Sequence, residues 1–244
     1  MRRNLICLSA LLLTALLGCA SKRPSPPLER PYVHRIAVVP ATDPPTLSLE
    51  NRTGVMYLAP IVGIGTMLDS KGKAQRLNQD PKLRSLGLAN KLTRPIVDAL
   101  RRAGYEVEVL DALVRPAKDP DDIDLDKLPV GADAILQLRV RDAGLYSGAF
   151  SNDYVPRVNV DGKLVARGGD DDIYDERLYY GVDPGPSARI DIQPDLRHAY
   201  PTFDALMDHV DEVGAALQTG TDALAQLMAQ QLLQALAAKT RPVR

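Results

Sequence analysis

The stretch 155–180 limits most strongly what this chain can fold into. Residues 155–167 alternate, with Val158, Val160, Leu164 and Ala166 on one side. Gly168-Gly169-Asp170-Asp171 then reads as a turn, and residues 172–180 return with Tyr174, Leu178 and Tyr180 on one side. A period of two on both arms predicts a long antiparallel hairpin. One face is apolar and must be covered by another layer. The other face is charged, which excludes a hairpin that inserts into a membrane.

The cover comes from two helical segments. Residues 81–103 carry Leu88, Leu92, Ile96, Val97 and Leu100 at helical spacing, with Lys91, Arg94, Arg101 and Arg102 elsewhere on the cylinder. Pro95 predicts a kink or restart, and Gly104 a stop. Residues 202–239 are also helical, with Thr202 as N-cap and Thr219-Gly220-Thr221 as the expected break. Further strands lie before and between these segments. Residues 33–39 and 134–140 read as central strands buried on both faces, 105–110 as an alternating strand, and 46–50 and 188–192 as short additions. The predicted class is α+β: a mixed sheet with a long antiparallel hairpin, helices packed mainly on one face, and a C-terminal helical segment.

The N-terminus sets the location. Arg2 and Arg3 precede an apolar run over 5–17, too short to span a bilayer, and the run closes on Leu16-Leu17-Gly18-Cys19. This ending resembles a bacterial lipobox. The resemblance implies cleavage between Gly18 and Cys19, and acylation of the Cys19 thiol and new amino group. Several acyl chains hold a protein firmly where one would not. Ala20, standing where an Asp would retain the protein in the inner membrane, implies sorting to the outer membrane. The expected organisation is a lipoprotein signal at 1–18, an acylated cysteine with a Pro-rich tether at 19–31, and a single periplasmic domain at 32–244.

Composition narrows the chemistry. The chain has 244 residues and a net charge of −1, so nothing marks it for nucleic acid. Its two cysteines are Cys7, inside the signal, and Cys19, so the mature domain has no thiol for a disulfide or a nucleophile. His34, His198 and His209 show no metal-ligand spacing, and no metal or other cofactor is expected. Asp122, Asp124 and Asp126 match the first positions of a calcium loop. Lys127 and Asp133 occupy the positions that need Gly and Glu, so a solvated acidic loop is expected instead. Gly63-Ile64-Gly65 lacks the third glycine of a dinucleotide loop. No nucleophile elbow occurs. The apolar stretch 56–68 is expected to form a buried loop or irregular strand. A second expectation makes it an apolar contact surface through Met56, Leu58, Ile61, Val62, Ile64, Met67 and Leu68.

The order of elements, with Gly-Ala-Asp-Ala-Ile-Leu-Gln-Leu at 131–138, resembles a small α/β envelope domain. That domain is shared by the curli-secretion lipoprotein family, the outer-membrane activators of penicillin-binding proteins, and the N-terminal domain of the Tol-system β-propeller protein. The resemblance implies protein–protein work, not catalysis. A second resemblance is to auxiliary lipoproteins of ABC-type lipid transporters, and implies handling of an apolar ligand. The leading expectation is a non-enzymatic accessory or assembly factor of a cell-envelope complex, joined to the membrane by Cys19 and to an envelope protein partner by its domain. An apolar-ligand carrier and an envelope hydrolase are the alternatives.

Overall fold

The computed structural model describes residues 33–51, 63–128, 130–148, 151, 153–167, 172–182 and 189–240, the side chains of 63–69, 126, 239 and 240 excepted. Gly18, Cys19, Met56, Leu58, Ile61 and Val62 lie outside the described residues, so the expectations for them do too.

The strands are β1 (Arg35–Val39), β2 (Ser48–Asn51), β3 (Glu106–Val109), β4 (Ala134–Ser147), β5 (Val155–Ala166) and β6 (Asp172–Tyr180). They join in one mixed sheet of order β3-β1-β4-β5-β6. β4 is the spine. Its first residues pair with β1 in parallel, Ile36 opposite Ala134. Its last residues pair with β2, also in parallel, Ser48 opposite Gly144. β1 and β2 thus occupy the same flank of β4 in succession. A side chain at Gly144 would put its Cβ 2.0 Å from the Ser48 carbonyl oxygen, so the close approach of β2 requires glycine there. The predicted hairpin is present, with antiparallel β4–β5 and β5–β6 ladders and a bulge between Val140 and Asp142.

The helices are α1 (Gly63–Gln79), α2 (Leu88–Arg102), α3 (Phe203–Asp208) and α4 (Val210–Thr240). The apolar stripe of α2 faces the sheet, with Leu88, Leu92, Ile96, Val97 and Leu100 buried. α4 adds Val213, Leu217, Leu224, Met228, Leu232 and Leu236 to the same core, against Leu136, Leu138, Val158, Val160, Leu164, Tyr174 and Leu178. Each fully buried side chain of this size contributes about 1.5–3 kcal/mol. The opposite face carries only a small apolar cluster, in which Leu128 and Ala132 cover Ala37, Val39 and Ile135. The class is therefore α+β with helices mainly on one face, as the alternation requires.

Five local expectations are corrected. The helix expected from 81 begins at Leu88. Residues 81–85 are a turn, and Gly87 stands at φ 64°, a left-handed conformation that separates the turn from the helix. The helix then runs through Pro95 without interruption. The C-terminal break falls at His209, not at Thr219-Gly220-Thr221. Gly220 stays helical, and a Cβ there would stand 2.5 Å from the Tyr180 ring, so the close packing of the helix on that ring requires glycine. The Thr219 and Thr221 hydroxyls donate to the Ala215 and Leu217 carbonyls one turn back. Residues 63–68 belong to α1, not to a loop or strand. Finally, the described part of the strand expected at 188–192, residues 189–192, contributes a single bridge, Ile192 to Tyr180, in place of a strand.

Candidate functional site

The face of the sheet away from α2 and α4 holds the polar chemistry of the domain. Asn159, Asp161 and Lys163 on β5 point there because their neighbours Val158, Val160 and Leu164 point to the helices. Asp161 accepts from Arg177 Nε at 2.7 Å and pairs with Arg141 at 3.2 Å, linking three strands. The Arg177 pKa is raised, first by its hydrogen bond to Asp161. Lys163 lies 2.9 Å from Asp172, and Arg189 donates to Asp191 at 2.9 Å.

Arg157 differs from the rest because its side chain is only 1% exposed. It donates to Asp142 through Nε and Nη2, and to Glu50 through Nη2 at 3.1 Å. Its guanidinium also sits 5.7 Å from the centre of the Tyr146 ring. Burial works to lower its pKa, but the bonds to Glu50 and Asp142 outweigh burial and hold it above the usual value. The three charges come from β2, β4 and β5, so the cluster fixes β2 on the spine. One buried cation thus joins two carboxylates from neighbouring strands, which suits registration of strands better than reaction with a ligand.

The acidic loop is not simply solvated. Asp121 lies over the centre of β4, where its carbonyl accepts from Gln137 Nε2 at 2.8 Å and Arg139 Nη2 at 2.6 Å. Arg115 pairs with the Asp121 carboxylate at 3.7 Å and donates to the Pro40 carbonyl. Among the described residues, no group of three or more His, Cys, Asp or Glu is placed to hold a metal ion. The three histidines lie apart. His34 is 3.1 Å from Glu106, His198 is in a 3-10 turn, and His209 lies against Tyr200 with ring centres 5.9 Å apart.

Two of the concavities of the domain lie against the elements just described. One, of about 550 Å³, runs between α2 and α4 over a floor of Pro95, Ala99, Ala229 and Leu233, with Arg94 and Arg102 on its rim. The other, of about 290 Å³, lies at the β3 edge beside Arg35, Glu106, Glu108 and Ala132. β3 pairs with β1 alone among the described strands, and Arg101 donates to its Val107 carbonyl at 3.2 Å.

Of the apolar-contact candidates, Ile64, Met67 and Leu68 fall in the first turns of α1, and their side chains lie outside the described residues. Arg157 went unmarked in the sequence. Its neighbours Pro156 and Val158 gave no sign that Glu50 and Asp142, far apart in the chain, would meet it. No helix among the described residues is long and apolar enough to cross a membrane.

No family model matches the chain, and no curated protein matches it. Solved structures do. Lipoprotein GNA1162 from Neisseria meningitidis is 18% identical, with 64% of this chain and 87% of that one covered and a TM-score of 0.30. Protein XCC0632 from Xanthomonas campestris is 12% identical, with 89% and 94% covered and a TM-score of 0.39. Protein CT253 from Chlamydia trachomatis is 11% identical, with 78% and 99% covered and a TM-score of 0.32.

Proposed function

We propose that this chain is a lipoprotein anchored through Cys19 in the outer membrane and facing the periplasm, where its domain is a non-enzymatic docking factor of a cell-envelope complex. The observation that carries the reading is Leu16-Leu17-Gly18-Cys19, placed between an apolar run and a Pro-rich tether. The thiol and the small residue before it are what acylation and cleavage require. The docking part is supported by β3, which among the described strands pairs with β1 alone and so stands at an edge of the sheet where a partner strand can add. The tether, over residues 21–31, reaches roughly 35 Å at about 3.1 Å per residue. It keeps the domain close to its own membrane.

The test is crosslinking in the cell followed by mass spectrometry, with the chain intact. The expected result is one reproducible envelope protein, lost in Cys19→Ala. Recovery of phospholipid alone would favour the apolar-ligand reading. Recovery of the same partner with Cys19→Ala would show that the anchor plays no part in docking.

A further inference from the structure

The β3 edge has a chemistry that narrows what can dock on it. Glu106 and Leu110 donate their N–H groups to the His34 and Val38 carbonyls on the β1 side. Successive residues of a paired strand turn their backbone groups to opposite flanks. The N–H and C=O groups of Val107 and Val109 therefore point away from β1. Of these four groups only the Val107 carbonyl is bonded among the described residues, by the exposed Arg101 guanidinium at 3.2 Å. An incoming strand replaces that single side-chain bond with a backbone N–H of its own.

The side chains of β3 divide as the sheet does. Val107 and Val109 pack against the helix-side core. Glu106 and Glu108 stand on the other face, beside the concavity of about 290 Å³ that Gly131 and Ala132 also line. Glu106 is held by Arg35 at 2.8 Å, so these two charges of the recess balance. Glu108 is exposed and has no ion-pair partner among the described residues. The recess therefore keeps one unanswered carboxylate at the open edge.

The edge strands of a second copy do not supply the answer. Another β3, reading Glu-Val-Glu-Val, would set carboxylate against carboxylate, which is destabilising across a ladder. β2 has no cation. β6 carries Asp172, Asp175 and Glu176, and its one cation, Arg177, is held by Asp161 at 2.7 Å. Charge complementarity thus selects a different chain.

Resting on the docking reading above, we infer that β3 takes an extended, basic segment of an envelope protein as an added strand. Apolar residues of that segment lie beside Val107 and Val109. A Lys or Arg at an alternate position reaches into the recess, its stem over Ala132 and its charged head at Glu108. Backbone bonds supply the affinity, and the recess selects the side chain.

The experiment uses the mature chain from Cys19, produced without its signal and therefore unacylated, titrated by NMR with the end-blocked peptide Thr-Val-Lys-Val-Lys-Val-Thr. The Val107 and Val109 amide protons should shift downfield and exchange more slowly with solvent. The same peptide with Glu for Lys should bind about tenfold more weakly. Glu108→Gln should weaken binding of the Lys peptide about threefold and Glu108→Lys about tenfold, whereas Asp208→Lys, on α3, should match the parent. Methylating the valine nitrogens of the peptide, which removes the donors that face β3, should abolish binding. No binding at millimolar peptide, equal binding of the Glu peptide, equal weakening by Asp208→Lys, or binding that survives methylation would overturn the inference. Crosslinking in the cell separates this failure from that of docking itself. Recovery of the same envelope protein at parental yield with Glu108→Lys would overturn strand addition at β3 and leave docking in place, while recovery of no protein with the parent chain would overturn docking.

Discussion

The two faces of the sheet are held by different physics. On the helix side, β4 and β5 present Leu136, Leu138, Val158, Val160 and Leu164, all within 5% of full burial under α2 and α4. On the other side, the same strands present Gln137, Arg139, Asp142, Arg157, Asn159 and Asp161, most of them tied by hydrogen bonds or ion pairs. Stability follows apolar burial, so it concentrates on the first face. Ion pairs on a hydrated surface contribute little, so the second face is free to carry surface properties instead. Gln137, Arg157 and Asn159 break the division, because they belong to the polar face yet are buried, and Arg157 is the charged one among them.

This contrast can be broken or sharpened in graded steps. Leu136→Ala empties a fully buried position and should cost about 4 kcal/mol by denaturant unfolding. A loss below about 1 kcal/mol there would contradict the primacy of the helix face. Arg157→Met should cost about 2–3 kcal/mol, because it strands the Asp142 and Glu50 carboxylates. Those carboxylates are partly exposed, which keeps the loss below that of a fully dry pair. Amide exchange should show the loss concentrated in β2.

Asp133→Asn comes next, at about 1 kcal/mol near neutral pH, for the two backbone hydrogen bonds from His34 and Arg35. Those bonds, that from Arg35 first, hold the Asp133 carboxyl below its ordinary pKa. Its contribution is therefore present above the unfolded value of about 3.9 and is lost as pH falls through the lower folded value. The difference between Asp133→Asn and the parent should accordingly shrink in acid. A difference that grew in acid would give the shift the wrong sign. The smallest change is Arg177→Gln. Its partner Asp161 keeps Arg141, and Arg177 is half exposed, so thermal unfolding should register about 0.5 kcal/mol or less.

The same division explains what could be read from the sequence. The apolar face was legible because alternation is a local signal, so the arms 155–167 and 172–180 lie within a residue of β5 and β6. The stripe of α2 was legible for the same reason. Breaks in helices were not, since they depend on packing. Gly220 reads as a breaker until the Tyr180 ring is placed against it. His209 gives no warning that it ends α3. The polar face was legible only as charged. The meeting of Glu50, Asp142 and Arg157 depends on β2 reaching the far end of β4, and Gly144 is the one residue whose identity permits that approach. Open edges such as that of β3 depend on strand order, which single-strand patterns do not encode. The anchor sequence stands apart, because its meaning is chemical and local and needs no fold.

The anchor is also what the functional reading depends on most, so the decisive measurement is the intact mass of the protein extracted from its membrane. The account predicts a chain beginning at Cys19 with acyl groups on both the thiol and the amino terminus. A chain that retains residues 1–18, or one that begins at Cys19 with a free thiol, would contradict it.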